Sequence, residues 1–213
     1  MNLPSISFVY RPTALPPFFV NHVLFFARAP RPGQVKTRLA ADVGSDVALE
    51  IYRALGSRVV DQIAGVSSIT VWYEPADAEE EMRAWLGDLR FEVQPDGDLG
   101  ARLTRAFAAH PSEPAIAVGA DAPDVDAAAI ESAGNALRAT EVVLGPANDG
   151  GYYLIGLARP LPKLFQALPW GTDEVLDATR AACDKMRITP ALLPVLRDVD
   201  RLSDLKALGL WPS

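Results

Sequence analysis

Cysteine is nearly missing from this chain of 213 residues, where Cys183 stands alone. That excludes a disulfide framework and a thiolate metal site, and it makes a reducing cytoplasm the expected compartment. Histidine is almost as scarce: His22 and His110 are too few for a zinc site, and their positions assign both to structure. Positive charge is also in short supply, with 20 Lys and Arg against 27 Asp and Glu and a net charge of −7. General nucleic-acid or anionic-membrane binding needs a basic face to release counterions, so both partner classes are excluded. An anionic substrate must then be met by a local basic cluster or by a metal ion. Long apolar runs are lacking too. Phe18 to Phe26 comes nearest to a signal core, but it is too short to span a bilayer and is broken by Asn21 and His22. There is no G-x-G-x-x-G, which leaves a dinucleotide fold without support.

What is present suits one good core. About half the residues are hydrophobic (49%), enough for a single domain over 21–213 as a monomer or homodimer. Residues 1–20 carry Pro4, Pro12, Pro16 and Pro17 with no sustained period, and read as an irregular extension. Strands are predicted at His22–Ala27, Ile69–Tyr73, Phe91–Gln94, Ala115–Val118, Glu141–Leu144, Tyr152–Leu157 and Leu192–Leu196. Between them the periodicity predicts a helix from Ser45, its expected N-cap, with Val47, Ile51, Leu55, Val59 and Ile63 on one stripe. Further helices are expected over Asp77–Leu86, Ala101–Ala109 and Asp126–Ala139, then one capped by Thr172 with Cys183 on its inner stripe, and a short one from Ser203. Strands alternating with helices at this spacing mean a three-layer α/β/α domain around a mainly parallel sheet.

The most informative stretch is Ile116 to Asp126, an apolar strand running straight into Asp121, Asp124 and Asp126. In open α/β sheets the ligand crevice lies beyond the carboxyl ends of the strands, which is where Asp121 would emerge. A lone carboxylate at the tip of a buried strand costs stability unless something pairs with it. A hard cation such as Mg²⁺ takes carboxylate oxygen and brings substrate phosphates with it. Asp126 is read instead as the cap of the Ala-rich helix that follows.

Three other stretches fall where strands give way to loops. Lys36, Thr37 and Arg38 follow the first strand and offer several donors to a polyphosphate, or else form a solvated basic helix start. The pair Lys36-Thr37 is no P-loop, because Val35 stands where that motif needs glycine. Asp149-Gly150-Gly151 reads equally as a hairpin turn and as backbone that lets a ligand approach closely, with Tyr152 and Tyr153 behind it. Asp198-Val199-Asp200 places two more carboxylates at the end of the last strand.

Together Phe26-Ala27-Arg28-Ala29-Pro30, Pro32 to Ala40, Gly97-Asp98-Leu99-Gly100, Gly119 to Pro123, Gly145 to Gly156, Trp170-Gly171-Thr172 and Asp198-Val199-Asp200 resemble the radical-SAM-associated, arsenosugar-linked family of GT-A glycosyltransferase-like proteins. The resemblance runs in order from residue 22 to about 208. It implies the GT-A, or nucleotide-diphospho-sugar transferase, fold, shared with the guanylyltransferases of molybdopterin and F420 synthesis. It also implies Mg²⁺ or Mn²⁺ on Asp121 with Asp198 or Asp200. Nucleotide would be held by Arg28, Lys36, Thr37, Arg38 and the Gly97, Asp98, Leu99, Gly100 turn, the last four near the base. An acceptor would lie near Asp149, Gly150, Gly151, Tyr152, Trp170 and Thr172, with Asp121, Asp149 and Lys36 carrying catalysis. Glycosyl transfer from a nucleotide sugar to a small-molecule acceptor is the first expectation. Nucleotidyl transfer from an NTP is its rival, because Lys36 and Arg38 suit a departing pyrophosphate. Non-catalytic nucleotide binding on the same fold is the third.

Overall fold

The computed structural model describes residues 22–211, so the extension expected over 1–20 lies outside the described residues. In chain order the elements are β1 (His22–Arg28), α1 (Thr37–Val43), α2 (Ser45–Ile63), β2 (Ser68–Glu74), α3 (Glu79–Leu86), β3 (Arg90–Val93), α4 (Leu99–Ala108) and β4 (Ala115–Gly119). They continue as α5 (Ala127–Ala136), β5 (Val142–Pro146), β6 (Tyr152–Leu157), a 3₁₀ turn at Pro162–Phe165, α6 (Val175–Lys185), β7 (Ala191–Leu192) and α7 (Leu202–Ala207).

The strands form one sheet in the order β3-β2-β1-β4-β6-β5-β7. β1 pairs in parallel with both β2 and β4, and β2 with β3. β6 is antiparallel to both of its neighbours, β4 and β5, so the sheet is mixed and mostly parallel.

Side chains alternate along β1 as a pleated strand requires. Val23, Phe25 and Ala27 join Val59 and Ile63 of α2, Met82 of α3 and Ile130 of α5 on one face. Leu24 points the other way, to Leu103 and Phe107 of α4, Phe165 of the 3₁₀ turn and Cys183 of α6. Helices thus cover both faces, giving the three layers. Fully enclosed side chains such as Leu24, Ile63 and Ile116 each contribute roughly 1.5–3 kcal/mol.

A smaller apolar cluster positions the site. Leu39 of α1, Ala48 and Leu55 of α2, Val199, and Leu205 of α7 pack together. The Val199 N–H donates to the Asp121 carbonyl at 2.9 Å. The segment leading into α7 is thereby stitched to the end of the central strand.

Several local expectations are corrected. Gly44, not Ser45, occupies the N-cap of α2, its φ of 87° fitting glycine, and Val47 is 39% exposed because the stripe begins at Ala48 and Tyr52 instead, while Leu55, Val59 and Ile63 are buried as expected. Glu174 takes the N-cap of α6, while the Thr172 hydroxyl accepts the Glu174 N–H at 3.3 Å and donates to the Pro169 carbonyl at 2.8 Å. The strand expected over Leu192–Leu196 is cut to Ala191–Leu192, with a single bridge from Leu196 to Ala147. Pro194 lies between, and has no N–H for the ladder. The helix expected to run to Ala139 ends at Ala136. Asp126 caps it as expected, accepting the Ala129 N–H at 2.9 Å. No helix among the described residues is long and apolar enough to cross a membrane.

Candidate active site

Three loops meet at the carboxyl edge of β1 and β4. Lys36 lies in the turn after β1, immediately before α1, in the left-handed region (φ 48°, ψ 44°). A non-glycine residue pays about 1–3 kcal/mol to stay there. Its Nζ sits 2.6 Å from Asp121 Oδ1, just past β4, and 3.2 Å from Asp200 Oδ1, near α7. The lysine side chain is only 4% exposed, whereas those of Asp121 and Asp200 are 49% and 37% exposed. Burial alone would push the Lys36 ammonium down, but the two carboxylates more than offset it and hold its pKa above the ordinary lysine value. From solvent, Arg38 reaches the other Asp200 oxygen at 3.2 Å.

A cavity of about 430 Å³ opens over this cluster, lined by Arg28, Lys36, Thr37, Arg38, Leu99, Asp121 and Asp200. At its far end lie groups that the sequence did not single out. Glu74, the last residue of β2, takes Arg28 Nε at 2.6 Å and Arg102 NH1 at 2.6 Å. Burial raises the Glu74 pKa, and the hydrogen bonds from Arg102 and Arg28 outweigh it, so the carboxyl stays below its usual range. Gln94, just past β3, donates to the Ala27 and Trp72 carbonyls and accepts from Arg102 NH1 at 3.0 Å. Tyr52 of α2 accepts the Arg28 N–H at 2.9 Å and donates to the Arg28 carbonyl at 3.1 Å. The one available signal was position, since Glu74 and Gln94 both end a strand at the ligand-bearing edge.

A second cavity, of about 470 Å³, shares Arg38, Leu99 and Asp200 with the first and adds Asp149, Tyr152, Trp170, Thr172 and Asp173. Trp170 meets Tyr152 edge to face at 6.5 Å. Asp149 accepts the Gly151 N–H at 2.9 Å. Gly150 has φ +86°, and a Cβ there would lie 2.1 Å from the Asp173 carbonyl oxygen, so only glycine fits. Between the two cavities a pocket of about 190 Å³ brings Asp121, Asp149 and Asp198 to one lining. Burial and the facing Asp149 push the Asp198 carboxyl up to about 6.

Other sequence-derived residues lie outside the main cleft. Of the Gly97–Gly100 turn, only Leu99 lines it. Asp98 caps α4 by accepting the Ala101 N–H at 2.8 Å. The Gly97 carbonyl accepts from Arg102 Nε at 3.2 Å, and Gly100 is packed under Trp170 and the Phe165 carbonyl. Asp124 faces Arg58 of α2, 3.9 Å away.

The donor set suits a hard divalent cation. Asp121 and Asp200 already share one cation, the ammonium, and both remain open to the cleft. Among the described residues no three acidic, histidine or cysteine groups gather to hold an ion. The carboxylates would therefore need ligand oxygens to complete the shell, as Mg²⁺ sites built on substrate phosphates do.

Comparison with known proteins agrees with this architecture. A solved protein from Desulfovibrio desulfuricans G20, named "putative nucleotide-diphospho-sugar transferase", is 34% identical over 88% of this chain and 85% of its own, with a TM-score of 0.83. CMP:2-keto-3-deoxy-manno-octonic acid synthetase complexed with CTP is 15% identical over 88% and 96% of the two chains, at a TM-score of 0.55. Glucosyl-3-phosphoglycerate synthase of Mycobacterium tuberculosis, solved with Mn²⁺, UDP and glucosyl-3-phosphoglycerate, is 14% identical over 89% and 75%, also at 0.55. At these identities the last two show the fold alone. A search of curated proteins gave no significant match. The family model described as "Uncharacterized protein conserved in bacteria (DUF2064)" matches residues 59–172, more than half of the chain. Carrying the nucleotide-diphospho-sugar transferase fold, with a charged cleft at its carboxyl edge, this chain belongs to the DUF2064 family.

Proposed function

We propose that the protein is a metal-dependent transferase that takes a nucleotide sugar as donor and passes the glycosyl group to a small hydroxylic acceptor. The observation that carries this is the meeting of Lys36, Asp121 and Asp200 beside two joined cavities. Lys36 and Arg38 supply fixed positive charge for a diphosphate in the first cavity. Asp121 and Asp200 would hold a divalent ion, which would neutralise charge developing on the departing nucleoside diphosphate. In the second cavity, lined by Trp170 and Asp149, Trp170 offers a flat apolar wall and Asp149 takes the acceptor's hydroxyl proton. The acceptor oxygen forms its bond to the anomeric carbon as the bond from that carbon to the phosphate oxygen breaks. The resemblance to the radical-SAM-associated glycosyltransferase-like proteins supports the same reading.

A second reading, nucleotidyl transfer, is favoured by one feature: two cations, Lys36 and Arg38, stand together where a triphosphate would lie. Against it, the second cavity presents Asp149, Asp173 and Asp200 with Arg38 as their only basic neighbour in the lining, a poor home for an anionic acceptor.

Incubation of the protein with each NTP, and with UDP-, GDP- and dTDP-sugars, in Mg²⁺ or Mn²⁺ with candidate acceptors separates these readings. Release of free nucleoside diphosphate from a nucleotide sugar is the expected result. Pyrophosphate release would replace it with nucleotidyl transfer, and binding without turnover would leave a non-catalytic nucleotide protein.

A further inference from the structure

The far end of the first cavity is walled by Arg28, Glu74 and Gln94. Both Gln94 side-chain N–H groups are spent, on the Ala27 carbonyl at 3.2 Å and the Trp72 carbonyl at 2.8 Å, so this amide has only its oxygen left to offer. The two Glu74 oxygens pair with one cation each, Arg28 and Arg102. A carboxylate has about four lone-pair sites, so Glu74 can accept further hydrogen bonds. The wall thus sets side-chain acceptors, Glu74 and Gln94, beside the donors of a largely exposed Arg28.

Arg102 does not line the cavity. It stands behind the wall, with its side chain 21% exposed, and one guanidinium joins three segments. NH1 lies 2.6 Å from Glu74 Oε2 at the end of β2 and donates at 3.0 Å to Gln94 Oε1, just past β3. Nε donates at 3.2 Å to the Gly97 carbonyl, in the turn before α4. A planar, permanently charged fork can hold such a junction, which a point charge cannot. Without Arg102, Glu74 would keep Arg28 alone, an exposed side chain on one of its two oxygens.

The two ends of the cavity suit different parts of a nucleotide. Lys36 and Arg38 meet phosphate, whereas the Glu74 carboxylate repels it. Carboxylate and amide oxygens instead accept from the ring N–H and amino groups along the edge of a nucleobase. We infer that Arg102 is a positioning residue for nucleobase selection, fixing Glu74 and Gln94 so that their unused lone pairs face the base. This rests on the nucleotide-handling reading of the same cleft, and adds which residues choose the base and what holds them in place.

The test is calorimetric titration of the full chain, in constant Mg²⁺, with UDP, GDP, CDP, ADP and inorganic pyrophosphate, the last having no base. Wild type is expected to prefer one nucleoside diphosphate to the others. Arg102→Met is expected to bind that one at least about tenfold more weakly, to lose most of the preference, and to bind pyrophosphate unchanged. Arg102→Gln serves if the first variant does not fold, with circular dichroism recorded for each. Glu74→Gln swaps one acceptor oxygen for a donor and is expected to act alike. Added to it, Arg102→Met should cost less than Arg102→Met costs alone, because the arginine works through that carboxylate. Pyrophosphate weakened as much as the nucleoside diphosphate assigns Arg102 to the phosphate end or to the fold at large, and overturns the inference. So do equal affinities of wild type for the four bases, a folded Arg102 variant that keeps the preference, and losses that simply add in the double variant. All of these leave the functional reading standing, whereas a wild-type protein that takes up no nucleotide removes both.

Discussion

The two halves of the sheet contribute opposite charges to one cleft. The parallel half, β3-β2-β1-β4, delivers Arg28 from the end of β1, Lys36 from the turn after it, Arg38 from α1 and Arg102 from α4, with Glu74 held between two arginines. The half that contains the antiparallel β6 delivers Asp149, Asp173, Asp198 and Asp200. Asp121 sits on the seam, at the end of the strand that pairs in parallel on one side and antiparallel on the other. On the proposed function the difference becomes a division of labour, with the first half meeting phosphate and the second meeting uncharged hydroxyl groups. On the same proposal the divalent ion falls at the seam.

Removing the seam is the harshest way to break this division. Asp121→Ala should lower metal-dependent transfer at least about a hundredfold with an unaltered circular dichroism spectrum, and activity near wild type would dissolve the metal corner. Removing one cation of the phosphate side is milder. Arg38→Ala should weaken a nucleoside diphosphate about tenfold, the scale of one charge-assisted hydrogen bond, and leave the nucleoside unchanged in calorimetric titration. Equal weakening of both would show that Arg38 serves packing rather than phosphate.

The smallest effect lies at the opposite end of the sheet, where His22 meets Glu113 at 2.8 Å and lies tilted against His110 with ring centroids 4.0 Å apart. Burial first, then His22 and Arg90, hold the His110 pKa below the ordinary histidine value. The folded chain thus binds fewer protons here than the unfolded one. Its stability is present above about pH 6.5 and is lost as pH falls through the lowered folded value. Melting temperature should drop modestly between about pH 7.5 and 5.5, and His110→Gln should flatten that slope without altering nucleotide affinity.

Much of the scaffold was legible because it is periodic. β1, α2 and β4 declare themselves by apolar spacing, Asp126 by its place before an Ala-rich helix, and Cys183 by falling on the inner stripe of α6. Direction is not periodic, so the one cue that β6 runs against β5 was the hairpin signal of Asp149-Gly150-Gly151, and nothing pointed to its antiparallel pairing with β4. Glu74 and Arg102 look like any solvated pair until β2 and α4 face each other across the cleft. The contact of Lys36 with Asp200 spans 164 positions. Local spacing named both residues without revealing that the lysine would lie between two aspartates.

The hydrogen bond from Val199 to the Asp121 carbonyl bears on the order in which the molecule is made. A nascent chain that has left the ribosome only as far as α6 can pair β1, β2 and β4, yet it lacks the partner that shares Lys36 with Asp121. The cleft is completed by a stretch translated after β7, so a product interrupted before it should be able to build most of the sheet while remaining blind to nucleotide.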